Sequence, residues 1–383
     1  DESNRVRIKE TAEEKLLEMK KDIKTKMDEM MAERRKRWKE DLPAVWKYKP
    51  GKIFQWLKGY RQAWWTAPLL HGDGKAAETP QDVDTAMRKF WVEKILRKEN
   101  PKDGADKWSQ YEREYGPYIP QVTSFTRVQW SAQRVRKCLA NMNEKASPGI
   151  RGFTINLWKS LPDEMIDAVA HLLNLVERDR RWPSEITKAY VSIIPKTEES
   201  SSPGDFRPIT VMDVLYRLWA KGVIDSWKLP LHQEVLGESA MGFRPERGCN
   251  HLAQLVQDVV YHAKKHKEEL WTASFDIMKC YDSLPWWGIF GTMKKVGIPE
   301  ETIGTFRSMY EELTRCFRYG KWDGEFWSAT NGLAQGCPAS PDLLNILYEA
   351  FHRWAACQGR GVHLSLESQE HMLASVSFAD DVV

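Results

Sequence analysis

The sequence predicts an α+β fold in which helices pack on an antiparallel sheet behind a mostly helical N-terminal extension. Apolar residues recur at helical spacing in several stretches, such as residues 163–177 and 250–267. Short β-rich runs, such as residues 189–194, alternate with them. Hydrophobic residues make up 42% of the 383 residues, which is enough for a buried core and excludes a disordered chain.

The charge balance excludes a polycation. Lys and Arg total 57 and Asp and Glu total 54, so the formal net charge is only +3. Any surface that binds nucleic acid must therefore be local. Residues 121–161 hold seven basic residues and one acidic residue, so we expect such a surface there.

The six cysteines are scattered without a Cys-x-x-Cys pair, which predicts a reduced intracellular protein with neither disulfides nor a zinc module. No apolar run approaches the roughly 18 residues that would cross a bilayer, so no membrane contact is expected. The basic cluster at residues 34–39 favours the nucleus over the cytoplasm, although a solvated helix end explains it equally well.

Two segments form the predicted extension. Residues 1–42 are a charged helical segment in which Leu16, Ile23 and Met30 repeat every seven residues. Residues 43–120 are rich in tryptophan and proline, and helical spacing places one helix at about 80–98. We interpret this second segment as a helical extension that packs on the next domain.

The rest of the chain alternates between strands and helices. A strand at 270–275 ends on Asp276, and a last strand at 372–378 runs into Asp380 and Asp381. Residues 317–327 are predicted to form a hairpin with Asp323-Gly324 among its turn residues. Ser340-Pro341-Asp342 is a good helix start, with the serine as cap.

The carboxylates at these strand ends can converge in space. Clustered carboxylates hold Mg²⁺, which prefers oxygen ligands. By itself an Asp-Asp pair more often marks a solvated turn, so the prediction depends on further motifs.

Those motifs stand in a fixed order along the chain. They are Ser147-Pro148-Gly149-Ile150-Arg151-Gly152, Ile194-Pro195-Lys196, Phe206-Arg207-Pro208-Ile209, Gly242-Phe243-Arg244-Pro245-Glu246-Arg247-Gly248, Gln335-Gly336-Cys337-Pro338 and Phe378-Ala379-Asp380-Asp381. With them, residues 121–383 resemble the reverse transcriptases of non-LTR (LINE-type) retrotransposons. The resemblance implies a right-hand polymerase, with fingers at 121–270 and an incomplete palm at 271–383.

The resemblance also implies roles for individual residues. Asp276, Asp380 and Asp381 would be catalytic and, with the backbone carbonyl of Ile277, would hold two Mg²⁺ ions, for which Mn²⁺ could substitute. Asp276 and Asp380 would be the main metal ligands, and Asp381 the less direct partner. Lys196 and Arg207 would grip the triphosphate of the incoming dNTP, because a lysine offers a point charge and an arginine a planar fork.

Further implied contacts surround the nucleotide and the template. Gln335 and Gly336 would contact the nucleotide. Tyr281, five residues after Asp276, would block a ribose 2′-hydroxyl and so select dNTPs. The template-binding residues would be Ser147, Pro148, Gly149, Arg151 and Gly152. The implied partners are an RNA template and a DNA primer or target, and nothing indicates an oligomeric state.

The sequence stops two residues after Asp381, so we expect a segment of a longer reading frame that lacks a thumb and is itself poorly active. Two alternatives remain open. One is an inactive remnant that only binds nucleic acid. The other is a maturase of the group II intron type.

Overall fold

The computed structural model describes residues 76–97, 99–197, 199–320, 322–359, 361–366, 369–379 and 381–383, together with residues 25, 29, 32, 33, 36, 40 and 69. The chain divides into two units, residues 1–64 and 65–383. The predicted heptad pattern and most of the basic cluster at residues 34–39 lie outside the described residues, as does Asp380.

The second unit is α+β, as predicted. Its main helices, in chain order, are α1 (Pro80–Met87, continued in wider turns over Arg88–Leu96), α2 (Gly104–Tyr115), α3 (Ala132–Ala140), α4 (Ile155–Lys159), α5 (Asp163–Asp179), α6 (Val214–Pro230, continued over Leu231–Val235), α7 (Cys249–His266), α8 (Cys280–Ser283), α9 (Trp286–Val296), α10 (Glu300–Glu312) and α11 (Ser340–Cys357). No helix in the described ranges is long and apolar enough to cross a bilayer.

The described part of the chain forms three sheets beside the helices. Their strands, in chain order, are β1 (Lys188–Pro195), β2 (Phe206–Val211), β3 (Phe275–Asp276), β4 (Thr314–Tyr319), β5 (Trp322–Asp323), β6 (Trp327–Ser328), β7 (Val362–Leu366), β8 (Gln369–Leu373), β9 (Ser377–Phe378) and β10 (Asp381–Val382). The largest sheet has β1 between antiparallel β2 and parallel β4, and β5 and β6 both pair with β4. A smaller sheet has the order β3-β10-β9, and β7 pairs with β8.

The helix predicted at about 80–98 is present and packs on the large sheet. It begins at Thr79, whose hydroxyl accepts a hydrogen bond from the Asp82 amide, followed by Pro80 in the first turn. Trp91 lies on its buried face and packs in one cluster with Phe206 of β2 and Phe317 of β4. Burial of this aromatic surface holds the extension to the sheet.

The larger core lies beneath α5, α6 and α10 and is built around aromatic rings. Trp182, Trp219 and Phe306 are almost fully buried, and the ring centroids of Trp219 and Phe306 lie 4.6 Å apart in an edge-to-face arrangement.

Three local predictions need correction. The hairpin at 317–327 exists, but Tyr319 pairs with Trp322, so the turn lies at Gly320 (φ 66°) and Asp323 is a strand residue held by Arg318 at 2.6 Å. The strand predicted at 270–275 is much shorter than expected, because regular strand pairing before and at Asp276 covers only Phe275–Asp276.

The third correction concerns the start of α11. Ser340 does not cap this helix, because its hydroxyl donates to the carbonyl of Ala334 at 2.9 Å. The side chain therefore ties the helix to the loop before it, which carries Gln335 and Gly336.

The aromatic core gives a stability prediction. Trp219→Ala should lower the free energy of unfolding by about 3–5 kcal/mol, because a fully buried indole leaves a cavity that its neighbours cannot fill. The matched control is Trp271→Ala, since that side chain is 89% exposed and should change little. Urea unfolding of both variants measures the difference, and equal effects would contradict this account of the core.

Candidate functional site

Two of the predicted carboxylates face each other across the small sheet. Asp276 on β3 is the register partner of Asp381 on β10, and both residues are exposed. Directly opposed residues in an antiparallel pair project to the same side of the sheet, with Cβ atoms about 5 Å apart. The structure therefore brings together two carboxylates that are 105 positions apart in the sequence.

The β9–β10 hairpin that carries Asp381 is held by residues distant in the sequence. The backbone amide of Met241 donates to the Ser377 carbonyl at 2.9 Å, and Val376 and Val383 exchange two backbone hydrogen bonds. Gly242 lies so close to the hairpin that a Cβ there would stand 2.6 Å from the Ala379 nitrogen. The hairpin therefore rests on the Gly242–Gly248 motif, which requires glycine at its first position.

A buried histidine also contacts the segment that forms this hairpin. His352 on α11 lies with Nδ1 2.7 Å from Ser375 Oγ and Nε2 2.9 Å from Ser377 Oγ. The side chain is almost fully buried, and this burial lowers the pKa of His352 to about 4. The neutral imidazole thus joins α11 to the strand that leads into the carboxylates.

The carboxylate pair fits a divalent cation. Two like charges directly opposite each other repel, and within the described chain neither carboxylate has an ion-pair partner. Carboxylate oxygens are the ligands that Mg²⁺ prefers. No third described His, Cys, Asp or Glu joins them, and Asp380, which directly precedes Asp381, lies outside the described residues.

The Ile277 carbonyl accepts a hydrogen bond from the Cys280 amide at 3.2 Å. A carbonyl oxygen has a second lone pair, so this bond leaves the predicted metal contact open.

The two predicted triphosphate-binding cations lie at the turn end of the β1–β2 hairpin. Arg207 pairs in register with Ile194, and the amide of Lys196 donates to the Asp205 carbonyl at 2.8 Å, so both exposed cations flank one turn. Sequence reasoning missed a third cation nearby. Lys279 is half-buried, and burial followed by the neighbouring Lys196 ammonium lowers the pKa of Lys279.

Tyr281, Gln335 and Gly336 come together beside β2. The Tyr281 carbonyl accepts from the Leu333 amide at 2.6 Å, which aligns the segment before Gln335 with the segment after Asp276. The Gln335 carbonyl accepts from the Thr210 amide of β2 at 2.7 Å. Gly336 has φ 106°, and a Cβ there would lie 2.6 Å from the Thr210 carbonyl, so only glycine suits this approach.

A buried polar group that sequence reasoning missed fixes the Gln335 side chain. Asp282 accepts a hydrogen bond from Gln335 Nε2 and lies near the buried guanidinium of Arg315. Burial raises the pKa of Asp282 to about 7, against the opposing effects of Gln335 and Arg315. Asp282 could have been identified from the sequence because it directly follows Tyr281, whereas nothing in the sequence indicated a role for Arg315.

The loop of the predicted template-binding residues is pinned to the N-terminus of α6. Arg151 forms a two-pronged ion pair with Asp213, at 2.8 and 3.0 Å, and Asp213 also caps α6 by accepting from the Leu215 amide. The Ser147 and Pro148 carbonyls accept from Arg217 and Tyr190. Gly149 lies against the backbone of Asp213, where a Cβ would stand 2.9 Å from its Cα, and Gly152 has φ 78°. Arg151 is therefore a structural anchor, and its contact with template stays a prediction.

The local positive excess at residues 121–161 is partly neutralised in three dimensions. Acids from outside the segment pair with three of its arginines, in the pairs Arg127–Glu177, Arg136–Asp163 and Arg151–Asp213. Lys137 and Lys145 remain exposed. The expected basic surface is thus smaller than the sequence count indicates.

Comparison with known proteins gives one family model. The model of the reverse transcriptase (RNA-dependent DNA polymerase) family matches residues 194–383. This range includes the β1–β2 hairpin end, the Asp282–Gln335 pair and the small sheet with Asp276 and Asp381.

Curated relatives point the same way. The chain is 26% identical over 316 residues to the retrovirus-related Pol polyprotein from the type-2 retrotransposable element R2DM of Drosophila melanogaster, covering 82% of this chain and 27% of the relative. It is 23% identical to the transposon TX1 149 kDa protein of Xenopus laevis, covering 64% and 19%. It is 26% identical to the Pol polyprotein from the type-1 element R2 of Bradysia coprophila, covering 57% and 24%. The chain thus spans about a quarter of these relatives' length.

The buried His352 gives a pH prediction. Its pKa lies below the unfolded value of about 6.5, so the unfolded chain binds the extra proton first as the pH falls. Stability should therefore fall between about pH 6.5 and pH 4, with up to roughly 3 kcal/mol attributable to this residue.

His352→Gln should flatten this part of the stability profile in urea unfolding at a series of pH values. The exposed His171→Gln is the matched control and should leave the profile unchanged. Identical slopes in wild type and His352→Gln would refute the role of the buried imidazole.

Proposed function

Since residues 194–383 form a reverse transcriptase domain of the kind carried by non-LTR retrotransposons, we propose that the protein is an RNA-directed DNA polymerase. In this reaction the 3′-hydroxyl of a primer attacks the α-phosphorus of a dNTP and pyrophosphate leaves. The observation that carries the proposal is the register of Asp276 against Asp381 within the matched domain.

The carboxylates of Asp276 and Asp381, with Asp380 and the Ile277 carbonyl, would hold the two Mg²⁺ ions. When bound, such ions favour the deprotonated 3′-hydroxyl and stabilise the charge on the leaving pyrophosphate. The residues of the chain orient this site: β3 and β10 fix the two aspartates opposite each other, and the Gly242 contact keeps the hairpin in place.

Lys196 and Arg207 would bind the triphosphate. Both are exposed and flank the turn between β1 and β2, so they can approach one polyanion from the same side. A lysine ammonium adapts to several phosphate oxygens, whereas the arginine fork binds two at once. The charge they supply would orient the α-phosphorus toward the primer.

Tyr281 would exclude ribonucleotides by occupying the space of the 2′-hydroxyl. Its backbone is fixed by Leu333, and its half-buried ring packs against the main core, so the ring cannot easily retreat. Gln335 and Gly336 would line the same pocket, with the Gln335 side chain held by Asp282.

The template would pass along the Ser147–Gly152 loop, whose backbone contacts would carry affinity rather than sequence information. An RNA template and a DNA primer or target are accordingly the proposed partners. We also propose that the protein acts inside the cell and, from the basic cluster at residues 34–39, in the nucleus.

The carboxylate assignment predicts a large loss of synthesis. In the full reading frame that encodes this chain, Asp276→Asn and Asp380→Ala should each reduce primer extension on an RNA template by about a thousandfold or more, because a lost metal ligand removes several kcal/mol of transition-state stabilisation. Asp258→Asn, an exposed aspartate on α7, is the matched control. Synthesis that survives in both variants would exclude the polymerase assignment, and a wild type that binds RNA without synthesis would favour a remnant.

The sugar-selection hypothesis predicts a change of substrate rather than of rate. Tyr281→Ala should raise the efficiency of rNTP incorporation relative to dNTP by about tenfold or more, because the variant opens the space beside the sugar. Tyr281→Phe keeps the ring and should retain discrimination. The ratio of kcat/KM for matched dNTP and rNTP measures the effect, and an unchanged ratio in Tyr281→Ala would rule out the gate.

A further inference from the structure

Lys279 has a set of contacts that the proposed roles do not use. It follows Asp276 by three residues and precedes α8, with a left-handed backbone (φ 52°). Its side chain leaves the small sheet and reaches the turn between β1 and β2, where Nζ donates to the carbonyl of Gly204. One side chain thus joins the strand of the metal site to the turn that carries the triphosphate-binding cations.

Two aromatic rings of the extension contact the same ammonium group. Lys279 Nζ lies 4.7 Å from the ring centroid of Trp91 and 5.9 Å from that of Phe90. Both distances are within the range of a cation–π interaction. Trp91 also donates from Nε1 to the Pro203 carbonyl at 2.9 Å, and a Cβ on Gly204 would lie 3.0 Å from the Phe90 ring.

The turn that receives these contacts has hydrogen bonds of its own. The amide of Ser202 donates to the Asp205 carboxylate at 3.1 Å, and the amide of Lys196 donates to the Asp205 carbonyl at 2.8 Å. A contact that fixes the carbonyls of Pro203 and Gly204 therefore fixes the flanking cations Lys196 and Arg207 as well.

We propose that Lys279 is a positioning residue that holds the proposed triphosphate-binding turn in place relative to the strand of Asp276. The rings of Phe90 and Trp91 in the extension hold the Lys279 ammonium group in turn. This inference rests on the proposed function. It gives the extension a part in nucleotide binding, because Phe90 and Trp91 contact the ammonium group that joins the segment after Asp276 to the turn of Lys196 and Arg207. Loss of the tether should therefore weaken dNTP binding more than it slows the chemical step.

The kinetic test uses the full reading frame and single-nucleotide primer extension on an RNA template. Lys279→Met keeps the aliphatic stem and removes the donor, and it should raise the KM for dNTP by about tenfold while kcat changes by less than about threefold. Lys279→Arg should restore most of the affinity. The control is Lys294→Met, an exposed lysine on α9 that should match wild type.

A second arm connects the extension to the same effect. Trp91→Phe keeps an aromatic ring but removes the indole N–H that donates to Pro203, and it should raise the KM for dNTP by a few fold. The double variant with Lys279→Met should show less than the product of the two single effects, because both act on one turn. Independent, multiplying effects would contradict the shared tether.

A readout without catalysis separates this inference from the proposed function. Amide hydrogen exchange at residues 204–207 should accelerate in Lys279→Met and stay unchanged in Lys294→Met. If wild type shows no synthesis, the proposed function is wrong. The exchange data would still show whether Lys279 holds the β1–β2 turn. If wild type is active, two results for Lys279→Met would overturn the positioning role. One is an unchanged KM for dNTP, and the other is a fall in the melting temperature and kcat of the variant without a change in KM.

Discussion

Two negative charges held opposite each other are the arrangement on which this structure depends. Asp276 and Asp381 repel, so their register must be imposed by surrounding contacts. The structure supplies those contacts from neutral groups: the close approach of Gly242, the Val376–Val383 backbone pair, and the buried imidazole of His352 between two serines. None of them offsets the repulsion by charge, which leaves both carboxylates available to a cation.

The segment around β2 connects the other parts of the site. Arg207 lies at its start, Thr210 bonds the Gln335 carbonyl, and Asp213 just beyond it anchors Arg151. The proposed nucleotide-binding cation Arg207, the loop of Gln335 and Gly336, and the proposed template loop are therefore all attached to this one segment. Lys279 joins this element to the carboxylates from the other side, so a displacement of β2 would disturb all of these contacts together.

The charge distribution shows why local sequence counts overstate a binding surface. Three of the arginines of residues 121–161 pair with acids 27 to 62 residues away, and the pairs Arg127–Glu177 and Arg151–Asp213 each involve a buried acid. A buried acid is costly unless it is paired, so folding consumes these cations before any nucleic acid can. What remains for phosphates is a smaller set at the β1–β2 turn and a few exposed lysines.

The sequence by itself determined the fold class, the helices with strong periodicity and the chemistry of the site, because these follow from local patterns and from motifs in a fixed order. It identified Asp276, Asp381, Lys196, Arg207, Tyr281 and Gln335 before any geometry was known. Only the tertiary structure decided that Asp276 faces Asp381, that Arg151 anchors its own loop, that Lys279 reaches the β1–β2 turn, and that Asp282 holds the side chain of Gln335. These outcomes depend on contacts between residues far apart in the chain, and no local pattern specifies which buried group will meet which partner.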